Sequence, residues 1–275
     1  MAAALTRIFS DLHYGDRASR IRSLAQLRPL LAGVDHLVLN GDTLDTRPGP
    51  SPAHTARCRD EVLAFFPTHT SHVTFLTGNH DADFSPHHAL DLADGAVFAT
   101  HGDIFYDDIV PWSQDAPAIR KKITAALAAL PAAERPLLSA RFAVWRQVAA
   151  EIPQRHQSER RWLRFAFYFI RDTVWPPDRM WRVIRTWRDA PNCAAAFART
   201  HRPQAKAIIT GHTHRPGVWR TSAGVTVINT GSFCRPLGCC IVDLADGRGI
   251  VRNMVERGGE FRLGAPLAEF SLADA

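Results

Sequence analysis

The sequence predicts an α/β fold in which a core of parallel strands is interrupted by a helical insertion. The first hundred residues alternate short apolar runs with stretches of helical spacing, which is typical of βαβ units. Strand-like runs stop near residue 110 and resume only after residue 202. We therefore expect a core formed by residues 1–110 and 203–265, an insertion over 111–202 and a loose tail over 266–275.

Each apolar run in the first part of the core ends in polar residues, and we expect each to be a strand. The runs are "LTRIFS", "DHLVLN", "HVTFLT" and "GAVFAT", which lead into "DLH", "GDTLD", "GNHD" and "HGD". Between them, apolar residues at helical spacing predict a helix from Arg17 to Leu31 and another from Thr55 to Phe66.

The insertion has helical spacing in "AIRKKITAALAAL" and "LLSARFAVWRQVAAEI". Strands are expected again in "KAIIT", "GVTVINT" and "GCCIVDL", and "ADGRG" indicates a hairpin turn into "IVRNMV". Both ends of the insertion adjoin polar strand ends, so we expect the insertion to cap whatever site those ends form.

Composition and charge indicate a globular protein with a full hydrophobic core. At 275 residues and 46% hydrophobic content, the chain can bury a full core. No apolar run reaches the roughly 18 residues that a membrane-spanning helix needs, and we expect a cytoplasmic protein. Five cysteines without CxxC spacing are expected to be reduced thiols. The net charge of +6 favours anionic partners, and the excess is concentrated between Arg155 and Arg202.

The polar strand ends supply oxygen and nitrogen donors of the kind that Mn²⁺, Fe²⁺ or Zn²⁺ accept. They are Asp11 and His13 in "DLH", Asp42 and Asp45 in "GDTLD", Asn79 in "GNHD", His101 in "HGD", and His212 and His214 in "GHTH". Ligands in open α/β sheets bind beyond the carboxyl ends of the strands, so these side chains are expected to meet. Asp11 and His13 are separated by one residue, as are His212 and His214. If the strand ends are extended, the two side chains of each pair point to the same side.

This ordered set of motifs resembles the calcineurin-like metallophosphoesterases, over about Thr6 to His101 and Ala207 to Val255. The resemblance implies a two-sheet αββα sandwich with a helical cap and a dinuclear metal centre that hydrolyses phosphoesters. By the same resemblance, Asp11, His13 and His214 would bind one ion, Asn79, His101 and His212 would bind the other, and Asp42 would bridge them. The expected cofactors are two divalent ions, with Mn²⁺ preferred and Fe²⁺ or Zn²⁺ as alternatives.

The resemblance also implies the catalytic roles. A hydroxide bridging the two ions would attack the phosphorus. His80 would stabilise or protonate the departing oxygen, and Asp45 would orient His80 and keep it cationic. Asp81 is expected to hold the ligands by hydrogen bonds. The glycines beside the ligands, Gly41, Gly78, Gly102 and Gly211, fit tight turns with unusual backbone angles.

The insertion carries the signals about substrate. Trp162, Phe165 and Phe169 share one helical face, and Trp181, Ile184 and Trp187 lie among arginines. Such a surface suits acyl chains and phosphate-bearing headgroups. "HGDIFYDD" and "GHTHRP" around a helical insertion resemble the UDP-2,3-diacylglucosamine pyrophosphatases of lipid A synthesis, although that branch usually has GNRD where this chain has GNHD. Arg215, Trp181 and Trp187 are the candidate substrate contacts.

Several functions remain open at this point. The leading one is hydrolysis of a phosphodiester or pyrophosphate, with a lipid-linked nucleotide as substrate and peripheral contact at the inner face of a membrane. A phosphatase or cyclic-nucleotide phosphodiesterase for a soluble substrate is the alternative within the same class. A binding scaffold without catalysis, as in family members resembling retromer subunits, usually lacks some ligands, whereas all are present here. Nucleic acid is not expected as a partner, because nothing marks a base-stacking platform.

Overall fold

The structure is a computed structural model that describes residues 4–154, 163 and 177–272. Its strands are β1 (Thr6–Phe9), β2 (His36–Asn40), β3 (His72–Leu76), β4 (Ala89–Leu92), β5 (Val97–Thr100), β6 (Ala207–Thr210), β7 (Gly217–Arg220), β8 (Thr226–Asn229), β9 (Cys240–Ala245), β10 (Arg248–Arg257) and β11 (Glu260–Ser271). Its α-helices are α1 (Arg28–Leu31), α2 (Pro52–Phe65), α3 (Ala116–Ala129), α4 (Leu138–Ala150) and α5 (Pro177–His201).

The strands form two mixed sheets, which confirms the predicted two-sheet α/β class. The first sheet has six strands in the order β11-β10-β9-β1-β2-β3, and the second has five in the order β4-β5-β6-β8-β7. Within the first sheet β1, β2 and β3 are parallel, and within the second β5, β6 and β8 are parallel. The polar motifs follow the carboxyl ends of these parallel strands.

Three apolar clusters hold the layers together. Ile8, Val38, Ile209 and Val242 belong to the cluster between the sheets. The outer face of the first sheet packs on α1 and α2 through residues such as Leu37 and Val62. Burial of this kind stabilises a fold by about 1.5 to 3 kcal/mol for each large aliphatic side chain.

The helices of the predicted insertion supply the fourth layer of the sandwich. Ile119 of α3, Trp145 of α4 and Ala198 of α5 pack in one cluster with Phe98 and Ile208 of the second sheet. The described part of the insertion therefore covers the outer face of that sheet, where its apolar side chains are buried. Among the residues that the structure describes, no helix is long and apolar enough to cross a membrane.

The prediction of a helix from Arg17 to Leu31 is mostly wrong. Only a 3₁₀ turn at Leu24–Leu27 and the short α1 form there. Local side-chain bonds compete with the helix: Asp16 accepts from the amide of Ala18, and Ser19 Oγ accepts from the amide of Ile21 and donates to a carbonyl. The apolar spacing still identified core positions, because Ile21 is 2% exposed and Leu27 fully buried.

The end of the chain also differs from expectation. Residues 266–271, predicted to be tail, belong to β11, which pairs with β10 as far as Ser271 opposite Arg248. The short edge strands β4 and β7 were not predicted either. Their four residues each carry little periodic signal, and only pairing with β5 and β8 defines them.

Candidate metal centre

Four predicted ligands form one compact, largely buried group. The ligating atoms of Asp11, His13, Asp42 and His214 all lie within 4.8 Å of one another. His214 Nε2 is 3.1 Å from Asp11 Oδ1 and 3.1 Å from His13 Nε2. His13 Nε2 is 3.7 Å from Asp42 Oδ2. Two imidazole nitrogens and two carboxylates that converge in this way could hold a divalent cation.

A second set of candidate donors includes His101, which also approaches the Asp42 carboxylate. His101 Nε2 is 3.3 Å from Asp42 Oδ2, while His101 Nδ1 donates to the Asn40 carbonyl at 3.1 Å. His101 Nε2 and Asn79 Oδ1 are buried and have no hydrogen-bond partner among the described residues. Buried polar atoms without a partner are costly, and coordination of a cation would satisfy both.

His212 belongs to this second set by position. Its ring centroid is 5.2 Å from that of His101. Its Nε2 donates to the Ile109 carbonyl at 2.8 Å, so Nδ1 is the nitrogen left as an acceptor. A backbone carbonyl that fixes the tautomer of a histidine in this manner is common around metal sites.

Five of the seven candidate ligands adopt left-handed backbone conformations, which corrects the prediction of extended strand ends. The φ angles are 53° at Asp11, 47° at His13, 52° at Asp42, 65° at His212 and 57° at His214. Each such residue costs of order 1 to 3 kcal/mol, and such strain is concentrated at functional sites. Backbone bonds hold the turns in place: the amide of Asp11 donates to Gly41 and that of His13 to Asp42, both at 3.0 Å.

The glycines beside the ligands act in two different ways. Gly41 and Gly102 have φ angles of 85° and 110°, as expected for unusual turns. Gly78 and Gly211 are needed for space instead. A Cβ would lie 2.3 Å from Asp42 Oδ1 at Gly78 and 2.1 Å from Asp11 Oδ2 at Gly211.

The protonation states of His13, His212 and Asp42 suit metal binding, whereas burial of His101 is outweighed by Asp42 and Asp11, which raise its pKa well above its ordinary value. Burial, with nearby His80 adding to it, lowers the pKa of His13 to about 3. Burial and His101 lower the pKa of His212 to about 3. Burial alone would raise the pKa of Asp42, but His101 and His80 bring it well below its ordinary value. Neutral imidazoles and ionised carboxylates are the forms that coordinate metals.

His80 and Asp45 are paired as expected, and the structure adds Arg47 to them. His80 Nδ1 donates to Asp45 Oδ2 at 3.0 Å. Arg47 donates to both oxygens of Asp45 at 3.0 and 2.7 Å, and its terminal nitrogen is 2.8 Å from His80 Nδ1. The sequence reasoning missed Arg47, although a basic residue two positions after Asp45 in a strand-end turn was the available signal.

This arrangement controls the charge on His80. Burial and Arg47 oppose a charged imidazole, but Asp42 and Asp45 outweigh them and raise the pKa of His80 above its ordinary value. Burial would raise the pKa of Asp45, but Arg47 and His80 bring it below the ordinary range. His80 Nε2 is 4.0 Å from Asp42 Oδ2, so the ring faces the metal ligands.

Two more buried residues fix the ligand loops. Asp81 accepts from the amides of Asp42, Thr43 and Gly78 at 3.1, 2.7 and 2.6 Å, in the supporting role that was predicted. The Asn40 side chain donates to the carbonyls of Thr100 and Ile209 at 3.1 and 3.2 Å. It thereby joins the two sheets beside the site, a role that the sequence reasoning did not identify.

The candidate substrate residues differ in exposure and in hydrogen bonding. Trp187 Nε1 donates to the Thr213 carbonyl at 2.9 Å, and Arg215 donates to the Trp187 carbonyl at 2.9 Å. These two residues therefore connect α5 to the "GHTH" turn, whereas Trp181 is 71% exposed. The arginines around them are paired: Arg182 with Asp178, and Arg185 and Arg188 with Asp189. The predicted face of Trp162, Phe165 and Phe169 lies outside the described residues.

Comparison with known protein families identifies the family of this chain. The calcineurin-like phosphoesterase family matches residues 6–216, and the chain belongs to that family. This assignment agrees with the αββα sandwich and with the position of the metal-ligand group at the carboxyl ends of its strands. The resemblance to UDP-2,3-diacylglucosamine pyrophosphatases is not supported by any of the comparisons. No curated protein matches the chain.

Several solved structures match this chain over nearly its whole length. Vacuolar Protein Sorting 29 from Cryptosporidium parvum is 13% identical with a TM-score of 0.48, covering 98% of this chain and 100% of the other. A dimetal phosphatase from Danio rerio is 15% identical with a TM-score of 0.47, covering 96% and 99%. A predicted phosphoesterase from Streptococcus pneumoniae is 15% identical with a TM-score of 0.40, covering 98% and 99%.

Proposed function

We propose that this chain is a dinuclear-metal hydrolase of phosphodiester or pyrophosphate bonds. The observation that carries the proposal is the buried Asp42 carboxylate, which two candidate ligand histidines from different loops approach. His13 Nε2 lies 3.7 Å and His101 Nε2 lies 3.3 Å from the same oxygen, Asp42 Oδ2. A carboxylate that is close to candidate ligands from both proposed sets suits a bridging ligand.

The proposed ligand sets are those that the family resemblance implies. Asp11, His13 and His214 bind one ion, and Asn79, His101 and His212 bind the second, with Asp42 common to both. The donors are oxygen and nitrogen atoms, which suit Mn²⁺, our first choice, and also Fe²⁺ or Zn²⁺. When bound, two such ions neutralise phosphate oxygens and lower the pKa of a water molecule.

The residues of the chain supply the remaining chemistry. Water attacks phosphorus and releases a proton to the solvent, a new P–O bond forms, and the bond to the leaving oxygen breaks. His80 Nε2 faces the site and delivers a proton to that oxygen, while Asp45 holds Nδ1 and favours the protonated ring. Arg47 fixes both oxygens of Asp45, so the orientation of His80 depends on Arg47 as well.

Hydrolysis of bis(p-nitrophenyl) phosphate and p-nitrophenyl phosphate with added Mn²⁺ tests the proposal. We expect turnover by the wild type, and His80→Ala should lower kcat by roughly 10² to 10⁴ with its Mn²⁺ content unchanged. His87→Ala is the matched control, because His87 is exposed and lies outside the site. Neither turnover nor bound metal in the purified wild type would refute the enzyme assignment.

For the substrate, we propose a nucleotide-linked lipid resembling UDP-diacylglucosamine, with the protein cytoplasmic and peripheral at the inner face of a membrane. The supporting observation is the exposed apolar surface of α5, where Trp181, Met180 and Ile184 are 71%, 48% and 45% exposed. Trp181→Ala should then reduce turnover of a diacylated nucleotide sugar far more than turnover of a small ester. Equal losses on both substrates would exclude lipid contact through this surface. Trp187→Ala should show the same bias, with an added loss of stability from its bond to Thr213.

A soluble substrate, cleaved by a phosphatase or a cyclic-nucleotide phosphodiesterase, is the second candidate. It is favoured by the charged residues Asp16, Arg17 and Glu61, which line a cleft beside Asp45. A panel of nucleotide-linked lipids, cyclic nucleotides and phosphomonoesters separates the two candidates by their kcat/KM values.

A further inference from the structure

His214 is the most exposed member of the compact ligand group. Its side chain is 37% exposed, whereas those of Asp11, His13 and Asp42 are 0%, 3% and 2% exposed. The core therefore encloses the other three, and His214 lies at the rim of the proposed metal centre. The φ angles of His212 and His214 are 65° and 57°, and a non-glycine residue keeps such a conformation only where surrounding contacts enforce it. Contacts from outside the core are needed to fix His214.

Trp187 of α5 bonds to the chain on both sides of His214. Its Nε1 donates to the Thr213 carbonyl at 2.9 Å, and its own carbonyl accepts from Arg215 Nη1 at 2.9 Å. Thr213 directly precedes His214 in the chain, and Arg215 directly follows it. The Arg215 guanidinium also lies 5.6 Å from the ring centroid of Trp219, a second contact that restricts it. A single helical residue therefore holds both neighbours of the candidate ligand.

A proline inside α5 accounts for the bond from Arg215. In an α-helix the amide of each residue donates to the carbonyl four positions earlier. Position 191 is a proline, which has no amide hydrogen, so the Trp187 carbonyl lacks its usual donor. Arg215 Nη1 donates to this carbonyl instead. Pro191 thus leaves an acceptor available on α5, and the residue that uses it is the one next to His214.

The turn between His212 and His214 is fixed on its other side by the second sheet. Asn229, the last residue of β8, donates through Nδ2 to the Gly211 carbonyl at 2.5 Å and to Thr213 Oγ1 at 3.1 Å. The cavity between α5 and this turn has a volume of about 10 Å³. A single water molecule needs about 10 to 15 Å³, so the turn has little room to shift against the helix.

We propose that Trp187 and Arg215 are positioning residues that hold His214 in its metal-binding orientation, with Pro191 leaving the acceptor that Arg215 requires. The assignment rests on the proposed metal centre and is independent of which phosphoester is cleaved. Since α5 ends the helical insertion, the insertion then contributes to metal binding as well as covering the second sheet.

Mn²⁺ binding to the metal-free, full-length protein tests the positioning role without any substrate. Arg215→Met and Trp187→Phe each remove one of the two bonds, and phenylalanine keeps an aromatic ring at position 187. Each variant should weaken one of the two Mn²⁺ affinities by about 10- to 100-fold in calorimetry, as is typical when a group that orients a ligand is lost. Arg220→Met and Trp181→Phe are the matched controls, because both side chains are exposed, and they should leave Mn²⁺ affinity unchanged.

Pro191→Ala separates positioning of the ligand from general stability. Alanine restores an amide that can donate to the Trp187 carbonyl, and it is a better helix former than proline. Added to Arg215→Met, this change should recover the Tm lost in that variant. Mn²⁺ affinity should stay about tenfold or more below that of the wild type, because the side chain at position 215 still makes no bond to α5.

Two results would overturn the assignment. One is wild-type Mn²⁺ affinity in both Arg215→Met and Trp187→Phe. The other is an affinity that recovers together with Tm when Pro191→Ala is added, since the role of Arg215 would then be structural only. Turnover of a phosphoester by the wild type would leave the hydrolase proposal standing in either case. Conversely, the predicted losses of affinity in a protein that hydrolyses no phosphoester would support the positioning role and refute the hydrolase proposal.

Discussion

Replacement of Arg47 by methionine should destabilise the protein strongly. The Arg47 and Asp45 side chains are only 7% and 11% exposed, and their closest contact is 2.7 Å. Breaking a buried ion pair by removing one partner costs about 3 to 5 kcal/mol, because the other charge stays buried. In a chain of this size, each kcal/mol shifts Tm by roughly 2 to 4 °C. We therefore expect Arg47→Met to lower Tm by about 6 to 20 °C.

Arg262→Met is the matched control for that measurement. Arg262 pairs with Glu260 at 2.6 Å, but the two side chains are 56% and 42% exposed. Exposed pairs contribute about 0.2 to 1 kcal/mol, so Tm should fall by less than about 4 °C. Differential scanning calorimetry measures both variants at pH 7. A Tm for Arg47→Met within 2 °C of that for Arg262→Met would show that Arg47 is not the buried partner that fixes Asp45.

Three further predictions follow from the site. Gly211→Ala should weaken Mn²⁺ binding at least tenfold by calorimetry, because the added Cβ would lie 2.1 Å from Asp11 Oδ2. Gly264→Ala, where the nearest atom to the added Cβ lies at 3.0 Å, should leave Mn²⁺ affinity unchanged. Unchanged affinity in Gly211→Ala would contradict this prediction. The pKa of Asp45 is lowered on folding, so its stabilisation is present above the unfolded value of about 3.9 and is lost as pH falls through the folded value. Urea denaturation should therefore show a difference between wild type and Asp45→Asn that shrinks from pH 5 to pH 3, and a difference that grows would refute the pairing. Asn40→Leu should cost about 1 to 3 kcal/mol of unfolding free energy, because it removes the hydrogen bonds from the Asn40 side chain to two buried carbonyls. The exposed Asn253→Leu should stay within about 0.5 kcal/mol, and equal effects would show that Asn40 does not join the sheets.

The sequence was most informative where local pattern and buried structure coincide. "DHLVLN" and "KAIIT" are short apolar runs followed by polar residues, and they form β2 and β6 as expected. The helix predicted from Arg17 was wrong, because hydrogen bonds from Asp16 and Ser19 favour turns and hydrophobic spacing does not register such bonds. Burial at these positions was nevertheless predicted correctly, since spacing reports which side chains face the core.

The candidate site was predictable as a set of residues, but its backbone was not. Asp11 and His214 are brought to 3.1 Å although about two hundred positions separate them in the chain, and only the ordered motifs linked them. The left-handed conformations of five candidate ligands depend on bonds between loops, such as that from the amide of His13 to the carbonyl of Asp42, which no local pattern encodes. Arg47 was missed for a similar reason, because its partner His80 lies on a different loop.

Metal content measured together with turnover tests the central claim most directly. The full-length protein is loaded with Mn²⁺, freed of excess ion, and examined by elemental analysis and by hydrolysis of bis(p-nitrophenyl) phosphate. The account predicts about two ions per chain and turnover for the wild type, and about one ion with at least 10²-fold slower turnover for Asn79→Ala. The exposed Asn253→Ala should match the wild type in both measurements. Wild-type protein that binds no metal and hydrolyses no ester, or an Asn79→Ala variant with full metal content and full activity, would contradict the account.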